Sequence, residues 1–131
     1  MTQADAVVTE SRATLPPLVE RTLARLIRAF APERVLLFGS WAKGAANDRS
    51  DVDLLLVAHT NGNPVVHLRR ARQLASDCFP AVDVVIASPT EVTEAATARS
   101  PFLASILSSG ITIYRQPTSG QKTTLTAIDE L

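Results

Sequence analysis

Two aspartates stand at the start of a hydrophobic segment. Asp51 and Asp53 flank Val52 and are followed by the apolar run 54–57. Side chains two residues apart on a strand point to the same face, about 6.6 Å apart at a rise of about 3.3 Å per residue. Like charges repel, at a cost of about 4 kcal/mol for a 4 Å separation and an effective dielectric constant of 20. The pair therefore predicts a bound cation.

Oxygen ligands of this kind suit a hard cation. Mg²⁺ binds one or two carboxylates and leaves its other positions to water and substrate phosphates. Two such ions about 3.5–4 Å apart can bind both the attacking and the leaving oxygen of an in-line displacement. A third carboxylate is then expected, and Asp83 is the one charge in the apolar run 81–87. We predict that Asp51, Asp53 and Asp83 share one metal site.

A glycine and a serine precede the acidic pair. Gly39 follows the apolar run 34–38, where glycine permits a sharp turn and the close approach of a ligand. Ser40 is predicted to begin a short helix over 40–46, and the start of a helix binds phosphate through its free N–H groups and its dipole. A phosphate site beside a metal site describes a nucleoside triphosphate with Mg²⁺. Lys43 and Arg49 are further candidates for phosphate contact, with a solvated surface cation as the alternative for each.

The stretch LFGSWAKGAANDRSDVDLLLV, residues 37–57, resembles the signature of the DNA polymerase beta-like nucleotidyltransferases. It is most similar to that of the minimal nucleotidyltransferase (MNT) group, in which a Gly-Ser pair, ten residues and Asp-x-Asp recur. A lone Asp follows on a later strand in that group, and Asp83 in VDVVIA matches it. Trp41 lies inside the motif and is predicted to pack against the short helix rather than to stack on a base.

The resemblance implies a role for each matched residue. Gly39 and Ser40 would hold the triphosphate, and Asp51 and Asp53 would hold Mg²⁺. Asp83 would complete the metal site and help to deprotonate an acceptor hydroxyl. The implied reaction moves a nucleoside monophosphate onto that hydroxyl and releases pyrophosphate.

Short MNT proteins act with a helical HEPN protein, a family of toxin ribonucleases. The resemblance thus implies an antitoxin that uses ATP and Mg²⁺ to adenylylate a tyrosine of its HEPN partner, and it allows an oligomer with that partner. Two alternatives stay open. One is a non-catalytic antitoxin that binds through the basic cluster Arg69, Arg70 and Arg72 or through the tail 116–131. The other is a stand-alone enzyme that modifies a small molecule of the antibiotic type.

Strands and helices alternate around these residues. Apolar spacing and breakers predict helices over 14–30, 64–79, from 89 and from 101 to before 110, and strands over 34–38, 52–58, 82–87 and 111–115. Ser88 and Glu91 have the spacing of a capping box. We predict an α+β (α/β-like) fold in which flanking helices cover a single mixed sheet of three to four strands, the nucleotidyltransferase fold. The domain would span 14–115, between a flexible arm, 1–13, and a flexible tail, 116–131.

The amino-acid composition argues against several other classes of protein. The chain has 131 residues and 13 Lys+Arg against 13 Asp+Glu, and zero net charge argues against direct DNA binding. One cysteine cannot form an internal disulfide. No apolar run approaches the roughly 20 residues of a membrane helix, and no secretory signal is evident at the start. We expect a cytoplasmic protein that does not bind membranes.

Overall fold

The computed structural model describes residues 15–47, 49–95 and 100–117. The predicted arm 1–13 and the tail from 118 onward lie outside the described residues. The helices are α1 Pro17–Phe30, α2 Pro64–Leu74, α3 Pro89–Ala95 and α4 Pro101–Ser109, and the strands are β1 Arg34–Phe38, β2 Val52–Val57, β3 Val82–Ala87 and β4 Ile111–Arg115. A three-residue 3₁₀ turn, Gly39–Trp41, follows β1.

The four strands form one mixed sheet in the order β3-β2-β1-β4. Strand β1 pairs antiparallel with both β2 and β4, whereas β2 and β3 are parallel. The parallel pair is joined through α2, because parallel neighbours need a crossover connection that a hairpin cannot make. The predicted mixed sheet with flanking helices is confirmed.

Helices α1 and α2 cover one face of the sheet. Leu23 and Leu26 of α1 are fully buried against Leu54 and Leu56 of β2 in the larger core cluster. Helix α1 begins with Pro17, where a missing N–H costs nothing. It ends at Phe30, and the next residue, Ala31, is left-handed at φ 45° and donates its N–H to the Ile27 carbonyl at 2.9 Å. Because buried leucines recur at helical spacing, this helix was well predicted.

Helices α3 and α4 belong to the opposite face. Leu103 and Ile106 of α4 pack with Leu55 and Val57 of β2 in a second, smaller core cluster. The predicted capping box at the start of α3 is confirmed: the Ser88 hydroxyl accepts the Glu91 N–H at 3.0 Å, and the Glu91 carboxylate accepts the Ser88 N–H at 2.8 Å. This smaller cluster leaves part of the second face open, and the site described below lies there.

Two predicted helices differ from the structure. The helix predicted over 40–46 is wrong, because only the 3₁₀ turn forms there, held by the Ala42 and Lys43 N–H groups on the Gly39 carbonyl. Gly39, just before this segment, and Gly44, within it, both have positive φ, which a right-handed helix does not accommodate. The helix predicted over 64–79 ends at Leu74, where the Ser76 hydroxyl competes for the Gln73 carbonyl at 2.9 Å. In the described parts of the chain, no helix is long and apolar enough to cross a membrane.

Candidate active site

Gly39 lies against the side chain of Asp53, one of the three predicted metal-binding acids. Strand β1 ends at Phe38, whose cross-strand partner is Asp53, and Gly39 then turns the backbone with a φ of +74°. A Cβ atom at Gly39 would collide with Oδ2 of Asp53 and lie 3.2 Å from its Cγ. Glycine is therefore required at this position for two reasons. The backbone conformation favours it, and the carboxylate of Asp53 leaves no room for a Cβ atom.

Asp53 and Asp83 lie side by side on neighbouring strands. They are direct partners in the parallel register of β2 and β3, where strands are about 4.8 Å apart and paired side chains point to the same face. That face is the one of the smaller core cluster, since Leu55 and Val85 follow at the next same-face positions and belong to it. The structure therefore brings together two of the three predicted acids.

Asp51 lies just before β2, two residues from Asp53, and is exposed. Desolvation by partial burial raises the pKa of Asp53 above its ordinary value of 3.8, and the negative charges of Asp83 and Asp51 raise it further. The negative charges of Asp51 and Asp83 thus both lie close enough to act on the carboxyl group of Asp53. Among the described residues, none of the three forms an ion pair with a lysine or arginine.

A hydrogen bond connects the turn before Asp51 to the 3₁₀ turn. Trp41 donates its indole N–H to the Ser50 carbonyl at 2.9 Å, and its ring packs against the larger core cluster. Ser50 in turn accepts the Asn47 N–H on its hydroxyl at 3.0 Å. The sequence predicted packing for Trp41, but it offered no signal for this hydrogen bond to a residue nine positions away.

The remaining predicted phosphate contacts lie on the same two turns. Ser40 is half-buried in the 3₁₀ turn, and Lys43 is exposed just after it. The first N–H groups of such a turn precede its internal hydrogen bonds and are free to bind a ligand. Arg49 is exposed, and its N–H donates to the Asn47 side-chain oxygen at 2.8 Å. The side chains of Lys43 and Arg49 make no ion pair with the acids in the described structure, so their roles stay predictions.

The donor set suits a hard divalent cation. In the described part of the chain, no three acidic, histidine or cysteine side chains already stand in a closed metal-binding cluster. Asp51, Asp53 and Asp83 nevertheless supply oxygen donors, and a cation would relieve the repulsion that Asp53 experiences from the other two. Mg²⁺ keeps several waters and needs only one or two protein carboxylates, so an open set of this kind fits it.

An aromatic pair that sequence reasoning missed adjoins the acids. Phe38, the register partner of Asp53, contacts Phe102 of α4 edge to face, with 6.1 Å between ring centroids. Phe102 is 56% exposed, which is unusual for a large aromatic side chain next to a core. Their positions, 64 residues apart in the chain, carry no periodic signal that would have linked them.

Comparisons with known proteins give a family model and similar solved structures. The family model "Polymerase beta, Nucleotidyltransferase" matches residues 22–119. A solved structure from Sulfolobus solfataricus, classed as a nucleotidyltransferase, shares 20% identity and a TM-score of 0.53 over 76% of this chain and 78% of that one. A toxin–antitoxin structure with AMP-PNP shares 20% identity and a TM-score of 0.48 over 82% of this chain and 80% of that one. A comparison with curated proteins finds no match.

The family match covers the Gly39–Ser40 turn and all three acids, and it extends over well more than half of the chain. Members of this family transfer nucleotides from a triphosphate with the help of a divalent metal. The Sulfolobus protein shares the fold of this chain. The chain belongs to the polymerase beta nucleotidyltransferase family.

Proposed function

We propose that this protein transfers AMP from ATP to a hydroxyl group in a Mg²⁺-dependent reaction. The observation that carries the proposal is the register of Asp53 and Asp83 on the open face of the sheet, directly beside Gly39. Two carboxylates held by neighbouring strands next to a glycine turn are suited to hold a metal-bound triphosphate. Both belong to the motif that resembles the MNT group.

Each residue has a defined task in this proposal. The turn at Gly39 and Ser40 binds the triphosphate through backbone N–H groups, and Lys43 and Arg49 are proposed to add charge to that contact. Asp51, Asp53 and Asp83 would hold Mg²⁺, and we propose two ions. When bound, Mg²⁺ supplies charge neutralisation and orients the phosphates.

The chemical step is an in-line displacement. The acceptor oxygen bonds to the α-phosphorus of ATP while the bond to the bridging oxygen of the β-phosphate breaks and pyrophosphate departs. The acceptor proton passes to the Asp83 carboxylate. Catalysis of this kind depends mainly on positioning and charge stabilisation, which is consistent with a site built from short, fixed turns.

The proposed acceptor is a tyrosine of a HEPN toxin, which would make this protein an antitoxin. The support is the resemblance of residues 37–57 and Asp83 to the MNT motif. Adenylylation would inactivate the toxin covalently. The alternatives, a non-catalytic binding antitoxin and a stand-alone small-molecule enzyme, differ from this proposal in what the acids do and in what the acceptor is.

Labelled ATP distinguishes these functions. The protein is incubated with Mg²⁺, ATP labelled at the α-phosphate and a candidate HEPN partner, and transfer to the HEPN chain is expected. The Asp51→Asn/Asp53→Asn variant should lose at least about 100-fold in rate. Glu20→Gln, a matched acid-to-amide change on exposed α1, should retain the rate.

Each of the other outcomes has a distinct meaning. If the Asp51→Asn/Asp53→Asn variant still neutralises the toxin, the antitoxin acts by binding alone. If a small hydroxyl compound is labelled without any protein partner, the stand-alone enzyme is favoured. If folded protein labels neither, the transferase proposal is wrong.

A further inference from the structure

A groove runs along the open edge of the sheet and reaches the active site. In the described part of the chain, β3 has a strand neighbour on one side only. Between its other edge and α2 lies a cleft of about 360 Å³, lined among others by Val65, Leu68, Arg72 and Asp83. Asp83 therefore belongs both to the acidic site and to the wall of this cleft.

A second hollow continues the cleft over the surface of α2. It is lined by Val65, Leu68, Arg69, Arg72, Gln73 and Ser76. Val65, Leu68 and Arg72 line both hollows, so the two form one continuous surface. We call this surface, from Ser76 along α2 to the edge of β3, the α2–β3 groove.

Only part of the basic cluster on α2 belongs to the groove. Arg70 lies over the Phe30 ring, 5.8 Å from its centroid, and so contacts α1. Arg69 and Arg72 are exposed and line the groove, and neither forms an ion pair within the described residues. Two cations without acidic partners point to an acidic ligand.

The residues that line the α2–β3 groove favour a polypeptide ligand over a nucleic acid. Val65 is 58% exposed, and it is followed one turn later by Leu68, so the groove offers apolar side chains next to a free strand edge. An extended segment can add to such an edge by main-chain hydrogen bonds, with alternate side chains in the pockets beside it. The carboxylates of Asp83 and Glu91 also line the cleft, so the acidic side chains of such a segment are expected at Arg69 and Arg72.

We propose that the α2–β3 groove is the docking surface for the protein acceptor, an extended acidic segment that pairs with the edge of β3. Arg69 and Arg72 contact its carboxylates, and its hydroxyl side chain reaches Asp83. This inference rests on the proposed transfer to a protein, and it extends it by naming the surface and the charge of the acceptor segment.

Binding of synthetic copolymers tests the groove separately from catalysis. The probes are fluorescent poly(Glu,Tyr) and poly(Lys,Tyr), with fluorescence anisotropy as the readout. The wild-type protein should bind poly(Glu,Tyr) in preference to poly(Lys,Tyr), and this binding should weaken with salt. Arg69→Glu/Arg72→Glu should raise the Kd for poly(Glu,Tyr) at least 10-fold. Arg21→Glu/Arg28→Glu, a matched charge reversal on the exposed side of α1, should leave it unchanged.

Three results would overturn the proposal that the α2–β3 groove binds an acidic segment. They are failure of the wild-type protein to bind poly(Glu,Tyr), an equal loss of binding in the α1 control, and tighter binding of an oligo-uridylate than of poly(Glu,Tyr). Circular dichroism and ATP binding of the arginine variants report whether they fold. If transfer fails while copolymer binding is intact, the proposed function is rejected, but the α2–β3 groove is still supported as a binding surface for acidic segments.

Discussion

At the scale of single residues, the site depends on a close contact between one glycine and one carboxylate. Gly39 has a positive φ, and the space where its Cβ would stand is taken by the Asp53 side chain. Gly44 also has a positive φ, of 72°, but nothing lies within 4 Å of its Cβ position. Alanine variants of the two glycines therefore separate the cost of a left-handed backbone from the cost of displacing Asp53, a proposed metal-binding acid.

We predict that Gly39→Ala reduces nucleotidyl transfer at least about 100-fold, whereas Gly44→Ala retains most of the activity. Both variants should lose about 1–2 kcal/mol in free energy of unfolding from the left-handed backbone, and Gly39→Ala should lose more because Asp53 must move. Chemical denaturation and labelled-ATP assays measure the two effects. Equal activity in the two variants would show that the contact with Asp53 is unimportant.

Asp53 also makes stability depend on pH. Its pKa is raised by burial and by the charges of Asp83 and Asp51, so the folded state holds this proton more tightly than the unfolded state does. Between the ordinary value of 3.8 and the raised one, the free energy of unfolding falls as pH rises. The ionised acid at neutral pH is thus a local cost that function requires.

Asp53→Asn should therefore raise the melting temperature at pH 7 while it abolishes transfer. The gain over the wild-type protein should shrink as the pH is lowered toward 3.8, because the wild-type carboxyl then becomes neutral. Thermal unfolding across this pH range measures the gain. Asp77→Asn is the control, since Asp77 pairs with Arg25 at 3.2 Å and its loss should not stabilise. If the gain in melting temperature does not vary with pH, ionisation of Asp53 is not its cause.

At the scale of elements, two turns and two strands position the acids. The parallel register of β2 and β3 sets Asp53 beside Asp83, and the hydrogen bond from Trp41 to Ser50 connects the 3₁₀ turn to the start of β2. Asp51 follows Ser50 directly. Movement of this turn would move the outermost carboxylate relative to the other two.

Trp41→Phe should keep most of the ring packing and remove that hydrogen bond. We expect a loss of about 1 kcal/mol in free energy of unfolding and a Mg²⁺ affinity about 10-fold lower, with a smaller effect on binding of metal-free ATP. Isothermal titration with Mg²⁺ measures this difference. Ser108→Ala, which removes an exposed hydrogen bond to the Ser105 carbonyl, should leave metal affinity unchanged. Equal affinity in Trp41→Phe would argue against a positioning role.

At the scale of the whole molecule, the two faces of the sheet have different tasks. The α1–α2 face carries the larger core cluster, with fully buried residues from α1, β1 and β2. The opposite face has the smaller cluster and presents Asp53 and Asp83 beside it. Stability comes mainly from one side, so the charged site on the other side can stay open.

Ligands should then stabilise the molecule as a whole. At a concentration of 100 times Kd, Mg²⁺ with a non-hydrolysable ATP analogue should add about 2.7 kcal/mol, which corresponds to a rise of roughly 10 °C in melting temperature for a domain of this size. EDTA should reverse most of the rise, and Asp51→Asn/Asp53→Asn should abolish it. A rise that EDTA does not affect would show that the analogue binds without the metal.

The sequence predicted the elements with strong local signals. Helix α1 was visible from its apolar spacing and α3 from its Ser88–Glu91 cap, and the strands were visible as short apolar runs. The helix over 40–46 was wrong because Gly39 and Gly44 have positive φ, which a right-handed helix does not accommodate. The early end of α2 was missed because no glycine or proline stands at Ala75 to mark it in the sequence.

By itself, the sequence determined which residues could do chemistry, since Gly39-Ser40 and Asp51-x-Asp53 are close in the chain and their spacing is visible there. Only the tertiary structure decided that Asp83, 30 residues later, is the register partner of Asp53, and that Arg69 and Arg72 share a groove with it while Arg70 does not. The physical reason is that strand register and helix orientation arise from burial of the whole apolar surface, which no local spacing records.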